Sequence, residues 1–167
     1  MWASDTMSEV FYTRFEDNAG FQAAVDQILE QPGRELRIFD PDLAALRVND
    51  PLRIERLERF LHASRTRRIY FVVHNTDHVT RRCPRMMNLI ARFSHAIQVH
   101  RTHEEIRELQ DSFMVLDSMH YVRRPVAQFF RGAIGLGDEP EGLAMRGRFM
   151  EIWAASYPAV SGTTVGL

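Results

Sequence analysis

The sequence contains no lysine, so all 21 of its basic side chains are arginines. This absence excludes chemistry that needs a lysine amine, such as a Schiff base, a pyridoxal phosphate anchor or the lysine of a P-loop. The single cysteine, Cys83, cannot form an internal disulfide and favours a reducing, cytoplasmic setting. No apolar run approaches the roughly 18 residues of a membrane span. The polar segment 1–10 predicts neither a signal peptide nor a transit peptide.

Length and composition predict one globular domain. The chain has 167 residues, of which 45% are hydrophobic and 26% are charged, with 9 glycines and 7 prolines. These values are typical of a folded domain that is large enough to bury a core. We expect a single domain over 1–167, with an ordered core over about 10–157 and loose ends at 1–7 and 159–167.

Charge is unevenly distributed along the chain, although the net charge is only −1. Segment 65–92 holds 7 arginines against one acid and is net +6, whereas 1–64 is net −5 and 93–167 is net −2. Two interpretations stay open. The basic segment is either a solvated helix face beside an arginine-rich loop, or an anion site for phosphate, nucleic acid or an acidic partner. The candidate anion-binding residues here are Arg81, Arg82 and Arg85.

Apolar periodicity alternates between helical and extended patterns through the first two thirds of the chain. Phe21, Val25 and Ile28 fall on one helix face, and Asp50-Pro51 predicts the start of a second helix. Residues 68–74 are a continuous run of mainly β-branched and aromatic side chains, as expected of a strand buried on both faces. This alternation predicts an α/β fold with a largely parallel sheet flanked by helices.

The last third of the chain predicts a mixed edge to that sheet. Residues 112–116 and 120–123 are adjacent strands with only a turn between them, which implies antiparallel pairing. A final helix follows, and we expect its Leu143 and Met150 to face the core. Gly147 in the same helix is expected to allow a close approach to a neighbouring element.

One segment resembles the motif strand of the phospholipase D-like superfamily, whose motif is His-x-Lys-x-x-x-x-Asp. Gln110 stands at the histidine position, Ser112 at the lysine position and Asp117 at the aspartate position. The Gly-Ser-x-Asn segment that follows in the superfamily corresponds to 124–127, which is Arg-Pro-Val-Ala here. The order of elements over about 18–157 also resembles one half of a phospholipase D-like protein. The chain is similar as well to bacterial domains of this size for which the superfamily implies no activity.

The resemblance implies a fold together with a lost activity. In the superfamily the histidine attacks phosphorus and the lysine binds a phosphoryl oxygen, while a second histidine from another motif copy protonates the leaving group. Gln110 is a poor nucleophile and Ser112 has no positive charge, so we expect no catalytic residue and no cofactor. Because this chain has one motif copy, the resemblance also implies a homodimer with the Gln110 strand near a two-fold axis.

Other candidate residues have competing interpretations. Arg123 and Arg124 follow the motif strand and either bind a phosphate by bidentate contacts or pair with the acidic segment 104–111. No histidine pair has a third ligand at a recognisable spacing, so we predict no metal site. Cys83 lies among arginines and is either a thiol with a lowered pKa or a small packed residue.

These observations leave three hypotheses for function. The first is a binding or regulatory module without catalysis, whose ligand is an anionic, phosphate-bearing metabolite, a nucleic acid or a protein. The second is a structural protein–protein interaction domain. The third is a phosphodiesterase with a non-standard site. We expect no membrane partner.

Overall fold

Eight strands form one continuous sheet in the computed structural model, which describes residues 9–160. Helices cover both faces of this sheet, so the chain is a single α/β domain. The strands are β1 (Phe11–Phe15), β2 (Glu35–Asp40), β3 (Arg68–Val73), β4 (Ile97–Thr102), β5 (Ser112–Leu116), β6 (His120–Arg124), β7 (Gly132–Leu136) and β8 (Ser156–Val160). The helices are α1 (Asn18–Leu29), α2 (Pro51–His62), α3 (Asp77–Arg82), α4 (Pro84–Arg92) and α5 (Glu139–Ala154).

The strand order is β1-β7-β6-β5-β2-β3-β4-β8. Pairs β2–β3 and β3–β4 are parallel, and the other five pairs are antiparallel. The predicted α/β fold with a mixed sheet is therefore confirmed, although the sheet is largely antiparallel and not largely parallel as expected. Helical crossovers return the chain in the same direction only between β2, β3 and β4. Strands β5, β6 and β7 follow one another through short connections, which reverse the chain each time.

Aspartates cap the first turns of α1 and α2, and the start of α2 at Asp50-Pro51 is the one that the sequence predicts. The carboxylate of Asp17 accepts a hydrogen bond from the amide of Gly20 (2.8 Å) at the start of α1. Asp50 accepts one from the amide of Leu52 (3.2 Å) at the start of α2, where Pro51 is the first helical residue. These side chains satisfy amide groups that a helix leaves unpaired, and so they fix where each helix starts.

The helices form two layers of unequal size. The larger core cluster joins one face of the sheet to α1, α2 and α4 through side chains such as Phe21, Leu57 and Met86. The smaller cluster joins the opposite face to α5, where Met145 and Phe149 are buried. Strands β2, β3 and β5 therefore have apolar side chains on both faces, as the sequence pattern predicts for β3.

Helix α5 is rotated relative to the expectation from sequence. Leu143 and Met150, predicted to face the core, are 50% and 45% exposed. A β-carbon at Gly147 would meet no atom within 4 Å, whereas a β-carbon at Gly142 would lie 2.2 Å from the carbonyl oxygen of Ser118. The close approach predicted for Gly147 therefore occurs at Gly142, where α5 begins against the β5–β6 turn.

The sheet extends further toward the C-terminus than expected. Strand β8 includes Ala159 and Val160, which the sequence analysis assigned to a loose end. The rest of that predicted loose end, and the one at 1–7, lie outside the described residues. No helix among residues 9–160 is both long enough and apolar enough to cross a membrane.

Candidate ligand-binding cleft

The motif positions are separated by the length of β5. Gln110 is exposed just before this strand, Ser112 is its buried first residue, and Asp117 follows its other end. At about 3.3 Å per residue, Ser112 and Asp117 are roughly 17 Å apart along the strand. Gln110 and Ser112 thus lie at one end of the central strands, and Asp117 lies at the opposite end.

Asp117 acts as a turn residue in this fold. Its φ angle is 56°, in the left-handed region that aspartate tolerates better than most residues. Its Oδ1 atom accepts hydrogen bonds from the amides of Arg34 and Glu35, each at 2.9 Å. Asp117 therefore fastens the β5–β6 turn to the start of β2.

Ser112 belongs to a buried polar cluster rather than to an open site. Its hydroxyl donates a hydrogen bond to Oδ1 of Asp40 (2.6 Å), the last residue of β2. The same oxygen lies 2.7 Å from Nη2 of Arg124, the last residue of β6. Oδ2 of Asp40 accepts hydrogen bonds from the amides of Asp42 (3.2 Å) and Leu43 (2.7 Å). Both carboxylate oxygens of Asp40 are therefore used inside the fold.

The guanidinium of Arg124 is also committed to internal contacts. Its Nη1 donates to the carbonyl of Ala127 (2.5 Å), and its Cζ lies 4.4 Å from the ring centroid of Phe21. The Arg124 side chain is 1% exposed. Burial lowers the pKa of Arg124 below its ordinary value, and the charge of Asp40 opposes that shift. Arg124 therefore does not offer its guanidinium to a ligand from solvent, contrary to the sequence prediction.

An open cleft of about 510 Å³ lies on the other face of the sheet, between α5 and the ends of β5 and β6. Arg123, the neighbour of Arg124, points into this face because successive side chains of a strand alternate. Its side chain is 50% exposed, and its Nη1 is 3.9 Å from Oε1 of Glu141. The residues lining the cleft are Gln110, Asp111, Phe113, Arg123, Arg124, Pro125, Val126, Glu141, Ala144, Met145 and Arg148.

A second arginine in the cleft is already paired. Both terminal nitrogens of Arg148 contact the carboxylate of Asp111, with Nη2 3.0 Å from Oδ1. Its guanidinium lies 5.3 Å from the ring centroid of Phe113. Arg148 is thus held in place by one ion pair and one aromatic ring. Arg123, with its long contact to Glu141, is the more available cation.

A model of the family described as "Domain of unknown function (DUF7931)" matches residues 17–161. The chain belongs to this family. A search of curated proteins found no match to the sequence.

Solved structures show which fold this DUF7931 domain has. The chain is similar to Nuc from Salmonella typhimurium, a phospholipase D family member, with a TM-score of 0.68 and 12% identity over 92% of this chain and 100% of Nuc. NucT from Helicobacter pylori gives a TM-score of 0.56 and 11% identity over 90% of this chain and 100% of NucT. TrmBL2, an archaeal chromatin protein that binds DNA, gives a TM-score of 0.63 and 9% identity over 93% of this chain and 57% of TrmBL2. These likenesses show a phospholipase D-like fold and leave activity to be argued from the site.

The basic segment of this DUF7931 domain is not a single surface. Arg81, Arg82 and Arg85 are exposed on α3 and at the start of α4, beyond the C-terminal end of β3. Arg65 precedes the N-terminal end of the same strand, and Arg92 pairs with Glu58 at 2.7 Å. The six-residue length of β3, roughly 20 Å, separates the two groups. Neither group lines the cleft.

The remaining candidates are structural. Cys83 is 1% exposed, and burial raises the pKa of its thiol, so the packed interpretation holds for this residue. His74 lies at the end of β3, where its two ring nitrogens contact Oγ1 of Thr102 (2.7 Å) and the carbonyl of Leu109 (2.8 Å). These contacts occupy both nitrogens of His74 in tying β3 and β4 to the loop before β5.

Sequence reasoning missed the half of the cleft that α5 contributes. Glu141 and Arg148 are seven residues, or about two turns, apart, so they share one face of α5. That spacing was available as a signal once the helix had been predicted. The sequence carries no signal for the partner of Arg148, because its pairing with Asp111 depends on how α5 packs across the sheet.

Proposed function

We propose that this chain is a non-catalytic phospholipase D-like binding module that holds a phosphate-bearing ligand in the cleft, next to Arg123. The observation that supports this function is the replacement of catalytic groups by structural ones. Ser112, which stands at the lysine position of the phospholipase D-like motif, is hydrogen-bonded to buried Asp40. Among the described residues that line the cleft there is no histidine or cysteine, and Gln110 offers a neutral amide.

The chemistry of the cleft suits anion binding better than phosphoryl transfer. Transfer needs an activated nucleophile and preorganised charge at the reacting oxygens. Arg123 supplies a half-exposed guanidinium, whose planar fork matches two phosphate oxygens. Glu141 is 3.9 Å away and can be displaced from Arg123 by a more highly charged phosphate. The ligand would therefore be held without being cleaved.

A ligand panel tests this function. Purified protein is heated with inorganic phosphate, pyrophosphate and nucleoside monophosphates, and affinities of positive ligands are measured by isothermal titration calorimetry. A ligand that binds only the native state raises the free energy of unfolding by about 2.7 kcal/mol at roughly 100 times its Kd. Arg123→Ala should abolish the ligand-induced rise in melting temperature. Arg59→Ala, which removes an exposed arginine of α2, should preserve that rise. A panel without any shift, or a shift that survives Arg123→Ala, contradicts the proposal.

The proposal includes a homodimer in a cytoplasmic setting. One motif copy per chain and the exposed position of Gln110 support an isologous contact near the cleft mouth. Sedimentation at micromolar concentration measures the mass directly. A monomer at every concentration contradicts the dimer without affecting ligand binding in the cleft.

A structural protein–protein interaction domain is the second candidate. The exposed apolar side chains of α5, Leu143 and Met150, favour it because they lie seven residues apart on one helix face. A negative ligand panel together with a stable complex that Leu143→Ala and Met150→Ala disrupt would support this candidate over the first.

A further inference from the structure

A second depression, which we call the edge groove, adjoins the cleft along the β1 edge of the sheet. It has a volume of about 350 Å³ and shares three residues with the cleft: Arg123, Pro125 and Val126. The other residues that line the edge groove are Tyr12, Arg14, Glu16, Phe129, Arg131, Gly132 and Ala133.

The edge groove exists because α5 does not reach this end of the sheet. The helix packs on β2, β4, β5, β6 and β8, and the β1 side chains Tyr12 and Arg14 stay exposed beyond it. The β7 residue that pairs with both Arg14 and Arg123 is Ala133, whose small side chain leaves the space between them open.

The edge groove carries an excess of positive charge. Three guanidiniums line it, from Arg14, Arg123 and Arg131, against one carboxylate, from Glu16. Among residues 9–160, neither Arg14 nor Arg131 has a carboxylate oxygen within 4.0 Å. With no carboxylate partner in this described range, Arg14 and Arg131 can bind anions along the groove.

Aromatic rings stand among these arginines. Tyr12 is 49% exposed and Phe129 is 46% exposed, although both are large aromatic side chains. The guanidinium of Arg131 lies 5.7 Å from the ring centroid of Phe129, which is a contact between a cation and an aromatic face. A half-exposed ring offers a flat surface on which another planar group can stack.

We infer that the edge groove binds a single-stranded polynucleotide, with bases stacked on Tyr12 and Phe129 and phosphates paired with Arg14, Arg123 and Arg131. Interleaved arginines and exposed rings match a chain in which phosphates and planar bases alternate. A duplex hides its base faces and leaves the rings unused, and a base-free polyanion leaves them unused as well. The inference rests on the proposed function, because Arg123 belongs to both the cleft and the groove.

Fluorescence anisotropy tests the inference with three probes on the full chain: a labelled oligothymidylate, the matched duplex and labelled inorganic polyphosphate. We expect the single strand to bind more tightly than the duplex. Tyr12→Ala and Phe129→Ala should each weaken oligothymidylate binding about tenfold and should leave polyphosphate binding unchanged. Leu52→Ala, at an apolar position that is 65% exposed on α2, is the matched control and should change neither.

Charge substitutions complete the test. Arg14→Ala and Arg131→Ala should weaken both oligothymidylate and polyphosphate, and three phosphate contacts give a slope of log K against log salt of about −2 for a single strand. Arg81→Ala should leave both affinities unchanged. A loss of binding in Arg81→Ala but not in Arg14→Ala would move the site to α3 and overturn the inference.

The outcomes separate this inference from the proposed function. Polyphosphate binding that needs Arg123, combined with oligothymidylate binding that ignores Tyr12 and Phe129, overturns the inference alone. Absence of binding to all three probes overturns the inference, and it overturns the proposed function too if the ligand panel is also negative. Equal affinity for the duplex and the single strand also overturns the inference. So does self-association of the protein, if Tyr12→Ala abolishes it and oligothymidylate does not compete with it.

Discussion

The Nη2 atom of Arg124 lies 2.7 Å from the carboxylate of Asp40, and each of these side chains is 1% exposed. The pair connects β6 to the end of β2 across β5, and Ser112 of β5 donates a hydrogen bond to the same carboxylate oxygen. Three neighbouring strands therefore meet at one buried charge. Ser112 and Arg124, which the sequence analysis aligned with motif positions, act here as parts of the core.

Removal of Arg124 should destabilise the domain strongly. Arg124→Ala leaves the Asp40 carboxylate buried without its cation, and breaking a buried pair in this way costs about 3–5 kcal/mol. Urea unfolding followed by circular dichroism measures the difference in free energy. Arg59→Ala is the control, because it removes an arginine whose pair with Glu55 is exposed and should cost less than about 1 kcal/mol. Similar costs for the two variants would contradict the structural role of Arg124.

Much of the fold was accessible from sequence because its elements have strong local signals. Continuous β-branched and aromatic residues identified β3, and an aspartate followed by proline identified the start of α2. Strand β7 has no such signal, because two of its five residues are glycines, and β1, although rich in aromatic residues, is only five residues long. Their register places Thr13 beside Ile134 and Tyr12 beside Gly135, so the pairing depends on residues far apart in the chain. Without these two strands the sheet was predicted to be largely parallel.

The candidate site was less accessible because adjacent residues of a strand face opposite sides. The sequence gives Arg123 and Arg124 the same chemistry, yet β6 directs one to the cleft and the other into the core. The choice depends on Asp40, which is 84 residues away from Arg124 in the chain. No local pattern contains that pairing, so the two arginines were predicted to act together.

The phospholipase D-like fold should lack phosphodiesterase activity in this chain. Gln110 supplies no activated lone pair, and the hydroxyl of Ser112 is hydrogen-bonded inside the fold. Hydrolysis of bis-nitrophenyl phosphate should equal the buffer blank with or without a divalent metal. Turnover that copurifies with the protein and disappears in a folded Gln110→Ala variant would overturn this expectation and support the phosphodiesterase alternative.

Two glycines of α5 should respond to alanine in opposite directions. Both variants gain helix propensity, about 0.5–1 kcal/mol. The Gly147 position is open, so Gly147→Ala should stabilise the domain by that amount. The new β-carbon of Gly142→Ala would lie 2.2 Å from the carbonyl oxygen of Ser118, so α5 must shift and we expect a net loss of about 1–3 kcal/mol. Thermal and urea unfolding of the pair measure both signs, and equal effects would contradict the packing of α5 on the β5–β6 turn.

The contact between His100 and Trp153 should make stability depend on pH. The two rings are stacked with centroids 3.5 Å apart, and Nδ1 of His100 is 2.8 Å from Oγ of Ser156. Because the Ser156 hydroxyl donates to the carbonyl of Trp153, its oxygen accepts from the imidazole. Burial lowers the pKa of His100 below its ordinary value of 6.5 and so favours the neutral imidazole.

The lowered pKa of His100 determines how the free energy of unfolding changes with pH. Below about pH 6.5 the unfolded chain takes up a proton at His100 before the folded chain does, so acid favours unfolding. The stabilisation is fully present above that pH and is lost as the pH falls through the lowered pKa of the folded state.

His100→Phe keeps an aromatic ring against Trp153 without a titrating group, so the loss of stability between about pH 7.5 and pH 5.5 should be smaller than in the wild type. Part of the loss should remain, because burial also lowers the pKa of His120. His95→Gln, at an exposed position, is the control and should follow the wild type. Urea unfolding at a series of pH values measures the effect, and parallel curves for His100→Phe and the wild type would contradict the prediction.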